Sequence, residues 1–209
     1  MTKAVVSIHF KTFGVNILEH FIQGGVIPVF LDSNIYHEIS HIDGLENCVF
    51  HNNYDDMLGV FPSQLKKLGF NPIVPEPNFL SEIVECQQIL LPQLERLNYF
   101  NLRTHQLIDY YYKYVANWLG IFAALKPDVM IYSSTPHEGF NFVGYYIANY
   151  LGIQTIIAER TMIKDRFFLL TSIYQYPKFD SSYADYDEDI DEALDSYLQF
   201  QEQRVHKEV

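Results

Sequence analysis

The sequence predicts an α/β protein, a mostly parallel sheet with helices on both faces. Three observations predict it. Short apolar, β-branched runs alternate with stretches whose apolar residues recur every three or four positions. The first 32 residues already read strand, helix, strand, and joining two parallel strands requires such a crossover. The chain has 209 residues, 48% hydrophobic and 19% charged, enough apolar material for one sizeable core.

AVVSIHF (4–10) reads as a buried strand. KTFG turns the chain, and VNILEHFIQ (15–23) has apolar residues at 15, 17, 18, 21 and 22, a helical spacing that Gly24 and Gly25 end. VIPVFLD (26–32) is the second strand and ENCVFHN (46–52) a short third. Gly59, Pro62, Gly69, Pro72, Pro75 and Pro77 interrupt residues 53–77, leaving room for one helix near 62–68. From Asn78 to Leu125 the pattern is helical, with a break or kink expected at Pro92. LKPDVMIYSS (125–134) brings the next strand. Thr135, Pro136 and Glu138 stand where an N-cap, a first-turn proline and a capping-box acid belong, so a helix is expected to start there and run to Gly152. QTIIAER (154–160) and FFLLTS (167–172) are the last strands.

These elements make a three-layer, Rossmann-like domain over residues 1–175, followed by an acidic tail or linker at 176–209 with weak helical character around 188–203. In such sheets, ligands bind beyond the carboxyl ends of the strands where strand order reverses. If the first strand and the strand at 128–133 flank that point, His9 to Thr12 and Ser133 to Glu138 line the crevice. Asp32, Ser33, Glu159 and Arg160 lie along the same edge.

The formal charge is −12. From Asp180 onward ten acidic residues face only Arg204 and Lys207, so much of the charge sits in the tail. An acidic surface repels phosphate backbones and argues against nucleic-acid binding. Cys48 and Cys86 have no CxxC spacing and read as reduced core residues. No apolar run approaches the roughly 18 residues of a membrane span, and AVVSI is too short for a signal-peptide core. The expectation is a cytoplasmic protein. GxGxxG, GxxxxGK[ST] and GxSxG are all absent, so no dinucleotide, P-loop or hydrolase-elbow chemistry is indicated, and no cofactor is expected.

His37, Glu38 and His41 spell HExxH. On a helix, histidines at i and i+4 share one face and hold zinc, while the glutamate activates bound water. Gly44 fits a longer form of the motif, but its third ligand falls on Asn47, a poor zinc donor. Inward packing of Ile35, Ile39 and Ile42 explains the same stretch without metal. A zinc hydrolase is thus one alternative, and a non-catalytic interaction module with an acidic tail is another.

Elsewhere, His137, Glu138 and Glu159 can supply general acid–base chemistry, although capping explains Glu138 and a salt bridge to Arg160 explains Glu159. His9, Lys11, Thr12, Ser134, Thr135 and Arg160 are the expected substrate contacts. Lys11 and Arg160 suit an anion, as do free amides at the helix start. Tyr110, Tyr111, Tyr112 and Tyr114 cannot all face one way on a helix, so some are core and others suit an interface, self-association or a stacked ligand.

The run LKPDVMIYSSTPHEGFNFVGYYIANYLGIQTIIAERTMIKDRFFL (125–169) resembles bacterial capsule and surface-polysaccharide biosynthesis proteins. The matching parts are Asp128 to Ser134, Ala148 to Ile153, Ile156 to Glu159, and Asp165 to Phe167, about a fifth of the chain. The resemblance implies a glycosyltransferase-like domain of the two-Rossmann (GT-B) type. In that family the N-terminal half mainly binds the acceptor, a sugar or glycan, and a second half binds the nucleotide-sugar. After residue 172 this chain shows only the tail. Either the chain is an N-terminal fragment whose second half lies in another domain or a partner chain, or it is a stand-alone relative of such enzymes.

Overall fold

The computed structural model describes residues 1–8, 11–96, 101–137, 139–161 and 167–175. The expected acidic tail lies outside the described residues. The α/β expectation holds. β1 (Thr2–Ile8), α1 (Lys11–Gln23) and β2 (Val26–Ser33) form the first crossover, and β3 (Val49–His51) adds a short edge strand. Helices α2 (Tyr36–Ile39), α3 (Asn53–Met57), α4 (Ser63–Lys67), α5 (Pro77–Glu82), α6 (Val84–Arg96) and α7 (Thr104–Leu125) lie around or after β3. Then follow β4 (Val129–Tyr132), α8 (Gly139–Tyr150), β5 (Gln154–Arg160) and β6 (Phe167–Leu170).

The sheet order is β3-β2-β1-β4-β5-β6. Every pairing is parallel except β5 with β6. Strand order reverses between β1 and β4, which pair from Ala4↔Val129 to Ser7↔Tyr132. That is the switch point expected from the sequence.

Period-two alternation explains the layers. Ala4, Val6 and Ile8 of β1 point with Leu31, Val129 and Ile131 into a core shared with Leu18 of α1 and Ile39 of α2. Val5, Phe30, Met130, Tyr132 and Ile157 point the other way, into a larger core with α6, α7 and α8. Trp118 is its centre. It stacks on Phe140 at 4.5 Å with the planes 23° apart, and its Nε1–H donates to the Phe140 carbonyl at 2.7 Å. Tyr111 and Tyr114 are buried there, while Tyr112 is exposed and Tyr110 half-buried. The cluster splits as helical geometry requires.

Three local expectations are corrected. α1 begins at Lys11, so KTFG is the helix's first turn and not a loop. Pro92 lies inside α6, and the break falls at Ile83 instead. The carbonyl that loses its partner to Pro92 is that of Gln88. Both residues are exposed, so water can take the bond. Third, α8 starts at Gly139, not at Pro136. Gly139 has φ +60°, outside the range of a right-handed helix, so no continuous helix can run from Pro136 through it.

Candidate functional site

Near the carboxyl ends of four adjacent strands one rung forms a polar row. In register, Tyr132 of β4 stands beside Ser7 of β1, Ser7 beside Asp32 of β2, and Asp32 beside His51 of β3. Alternation places this rung on the face that packs α7 and α8, because Val5, Phe30 and Val49, two residues earlier, belong to that core. All four side chains are buried.

Asp32 is the hub. The Ser7 hydroxyl donates to its Oδ2 at 3.2 Å, and Asn141 Nδ2 of α8 donates to the same oxygen at 2.7 Å. The Tyr132 hydroxyl donates to the Asn141 backbone carbonyl at 3.1 Å. The first turn of α8 is therefore tied to the sheet by two bonds through one residue.

Asp56 closes the cluster from α3. Asn52 caps that short helix, accepting from the Tyr54 amide at 2.8 Å. α7 grips its far end: the Tyr114 hydroxyl donates to the Met57 carbonyl at 2.8 Å, and Asn117 Nδ2 to the Gly59 carbonyl at 3.1 Å. So held, Asp56 is 0% exposed, with its Oδ1 2.7 Å from His51 Nε2. His51 Nε2 also lies 2.9 Å from the Val60 carbonyl. A carbonyl only accepts, so Nε2 carries a proton. Burial pushes Asp56 well above the ordinary carboxylate range, reinforced by the neighbouring Asp32 charge, and burial pulls His51 down. Both shifts favour the neutral forms across this short contact.

At the rim, Glu159 at the end of β5 does what the sequence assigned to a helix cap. Its Oε2 accepts from both the Thr135 amide at 2.7 Å and the Thr135 hydroxyl at 2.5 Å. Thr135 is therefore committed to Glu159 and not to capping α8. His137 Nδ1 donates to the Thr135 carbonyl at 2.8 Å, and its ring is exposed. Thr135, His137 and Glu159 thus form one connected rim, with Ser134 half-buried beside them and Arg160 exposed at the strand end. His9 and Glu138 lie outside the described residues. Lys11 and Thr12 open α1 at the carboxyl end of β1, which puts them at the switch point.

The structure does not build the helix that HExxH chemistry needs. α2 spans four residues and stops at Ile39, so His41 lies in the turn beyond it. Both His37 and His41 are exposed, while Ile39 is fully buried and Ile42 packs against the same core. Among the described residues no three His, Cys, Asp or Glu side chains are grouped to hold a metal ion. Among them, too, no helix is long and apolar enough to cross a membrane.

No family model matches the chain, and no curated protein or solved structure matches it. The site must therefore be judged on its own geometry. A shallow apolar cavity of about 420 Å³ opens at the opposite edge, among Leu119, Phe122, Leu151 and Ile153. Its one charged lining group is Lys126, and no carboxylate, imidazole, thiol or hydroxyl side chain stands beside it. The chemistry-bearing groups are at the carboxyl edge.

Sequence reasoning placed Asp32 at that edge but missed His51 and Asp56. A signal was present. SI, LDS and FH each put a polar residue at the end of an apolar strand, in the phase that faces the core.

Proposed function

We propose that this chain is a glycosyltransferase-like, Rossmann-type domain of surface-polysaccharide assembly that holds a sugar or glycan acceptor at the carboxyl ends of β1 and β4. The observation that carries the reading is the strand-order reversal at that point, where open α/β sheets bind their ligands. The rim there is hydroxyl-, imidazole- and carboxylate-bearing, through Thr135, His137 and Glu159. Such groups suit a polyhydroxyl ligand, which needs donors and acceptors fixed in direction. In this reading His137 and Glu159, with Glu138, supply acid–base function. Ser134, Thr135, Arg160, His9, Lys11 and Thr12 supply contacts. A nucleotide-sugar-binding domain or partner chain completes the enzyme.

The test is saturation-transfer NMR with a panel of neutral hexoses and N-acetylhexosamines on the whole chain. Binding that disappears in the His137→Ala, Glu159→Ala double variant supports the assignment. Binding unchanged in that variant moves the site elsewhere, and no binding to the wild-type chain refutes the proposal.

A further inference from the structure

Asp56 is completely buried, and neither carboxyl oxygen has a hydrogen-bond donor among the described residues. The single proton on His51 Nε2, 2.7 Å from Asp56 Oδ1, points to the Val60 carbonyl. A carboxylate left so would be a buried charge with no donor to solvate it, which is strongly unfavourable. Asp32 stands beside His51 in strand register, and His51 touches Asp56, so the two carboxyl groups face each other across the rung. Asp32 Oδ2 already accepts from Ser7 and Asn141, which marks Asp32 as the acceptor of the two.

We propose that Asp32 and Asp56 share one proton, carried on Asp56 and donated to Asp32, and that this proton latches α3 to the polar rung beneath the switch point. The latch joins four elements. Asp56 brings α3, Asp32 brings β2, Ser7 brings β1, and Asn141 brings the first turn of α8. The charged and titratable groups that face Asp56 fit this placement. Asp32 faces it from β2, His51 from β3, Tyr114 from α7, and Asp55 from its own helix. α8 presents Asn141, which does not titrate. Burial also pushes the Tyr114 hydroxyl upward, so it stays neutral and donates to the Met57 carbonyl. Three carboxyl groups and one neutral imidazole leave no cation to balance a second buried negative charge, so the proton is retained. If it is lost, two adjacent carboxylates repel and the α3 side of the latch opens.

The proposal is tested on the whole chain by infrared spectroscopy at neutral pH. Wild type should show the C=O stretch of a protonated carboxylic acid, absent in Asp56→Asn. A missing band in wild type, or one that persists in Asp56→Asn, overturns the assignment. Thermal melts give a second readout. The asparagine amide donates to Asp32 without needing a proton, so the Tm of Asp56→Asn relative to wild type should rise as pH climbs above the ordinary carboxylate value of 3.8. A Tm difference independent of pH overturns the proposal. Should Asp56→Asn not fold, Asp32→Asn serves instead. It too should abolish the band, by removing the partner that holds the proton, and a band that survives there overturns the sharing.

Discussion

Gly144→Ala probes the contact that holds α8 against α7. A methyl group on Gly144 would lie 2.5 Å from Trp118 Cε2, 2.7 Å from Cζ2 and 2.9 Å from Nε1. Carbon atoms pack at about 3.5–4.0 Å, so roughly 1 Å must open. The indole cannot retreat, since Phe140 stacks on it and Phe122 and Phe30 sit at 5.1 and 5.9 Å. The helices must separate instead. Overpacking of this kind costs about 1–3 kcal/mol, and a strained Trp118–Phe140 hydrogen bond adds about 1. The better helix propensity of alanine returns about 1 kcal/mol. The net expectation is a loss of roughly 1–3 kcal/mol, or about 3–10 °C in Tm for a domain of this size. Trp118 is the chain's single tryptophan, so its fluorescence during urea unfolding reports on the perturbed contact itself. A Gly144→Ala protein as stable as wild type would refute the idea that this glycine exists for close helix approach.

Four further outcomes are expected. Glu159→Ala removes the acceptor of both Thr135 bonds, worth about 1.5–3 kcal/mol to a charged group, so amide exchange at Thr135 should quicken by roughly 10- to 100-fold in hydrogen–deuterium exchange. Burial pushes the Cys48 and Cys86 thiols up to about 12; Ellman's reagent at pH 8 should leave both unreacted until the chain is denatured, when two thiols titrate. Zinc analysis of chelator-free protein should give a negligible content, unchanged by His41→Ala; one zinc per chain lost in that variant would restore the HExxH reading. Last, the buried pair shapes stability against pH. His51 is depressed from 6.5, so stability falls as pH drops below that value; Asp56 is raised from 3.8, so its contribution is complete below 3.8 and is lost as pH rises toward its folded value. Each proton is worth about 1.4 kcal/mol per pH unit. The two slopes have opposite signs, so in urea unfolding His51→Gln should gain stability relative to wild type as pH drops below 6.5, and a difference that does not change with pH would contradict the depressed His51.

The layers were legible because each strand and long helix repeats its period over several residues. β5 came out at the predicted residues 154–160, and the parallel neighbours β1 and β4 followed from the crossover rule. The start of α8 was not legible. Thr135, Pro136 and Glu138 are good capping residues, but Glu159, 24 positions on, bonds the Thr135 hydroxyl instead, and no local pattern shows that competition. HEISH failed for a similar reason: a five-residue motif says nothing of helix length, and here the burial of Ile39 decides the turn. His51 and Asp56 were missed because one ends a three-residue strand and the other sits in a five-residue helix, both too short for periodicity to flag.

The position of β1 has a consequence in time. It precedes the other described strands in the chain, and it ends in the middle of the sheet. β2 reaches it after a single crossover, but β4 must bond its other edge from 125 positions away, as the Lys3 amide does with Asp128. At the usual pace of synthesis, about 5–20 residues per second, that edge stays unpaired for on the order of ten seconds. During that interval its exposed amides and carbonyls can template a wrong partner. Slow closure of β1 on β4, and not the formation of any helix, should set the refolding rate, and a chain cut before Val129 should aggregate through its open central strand.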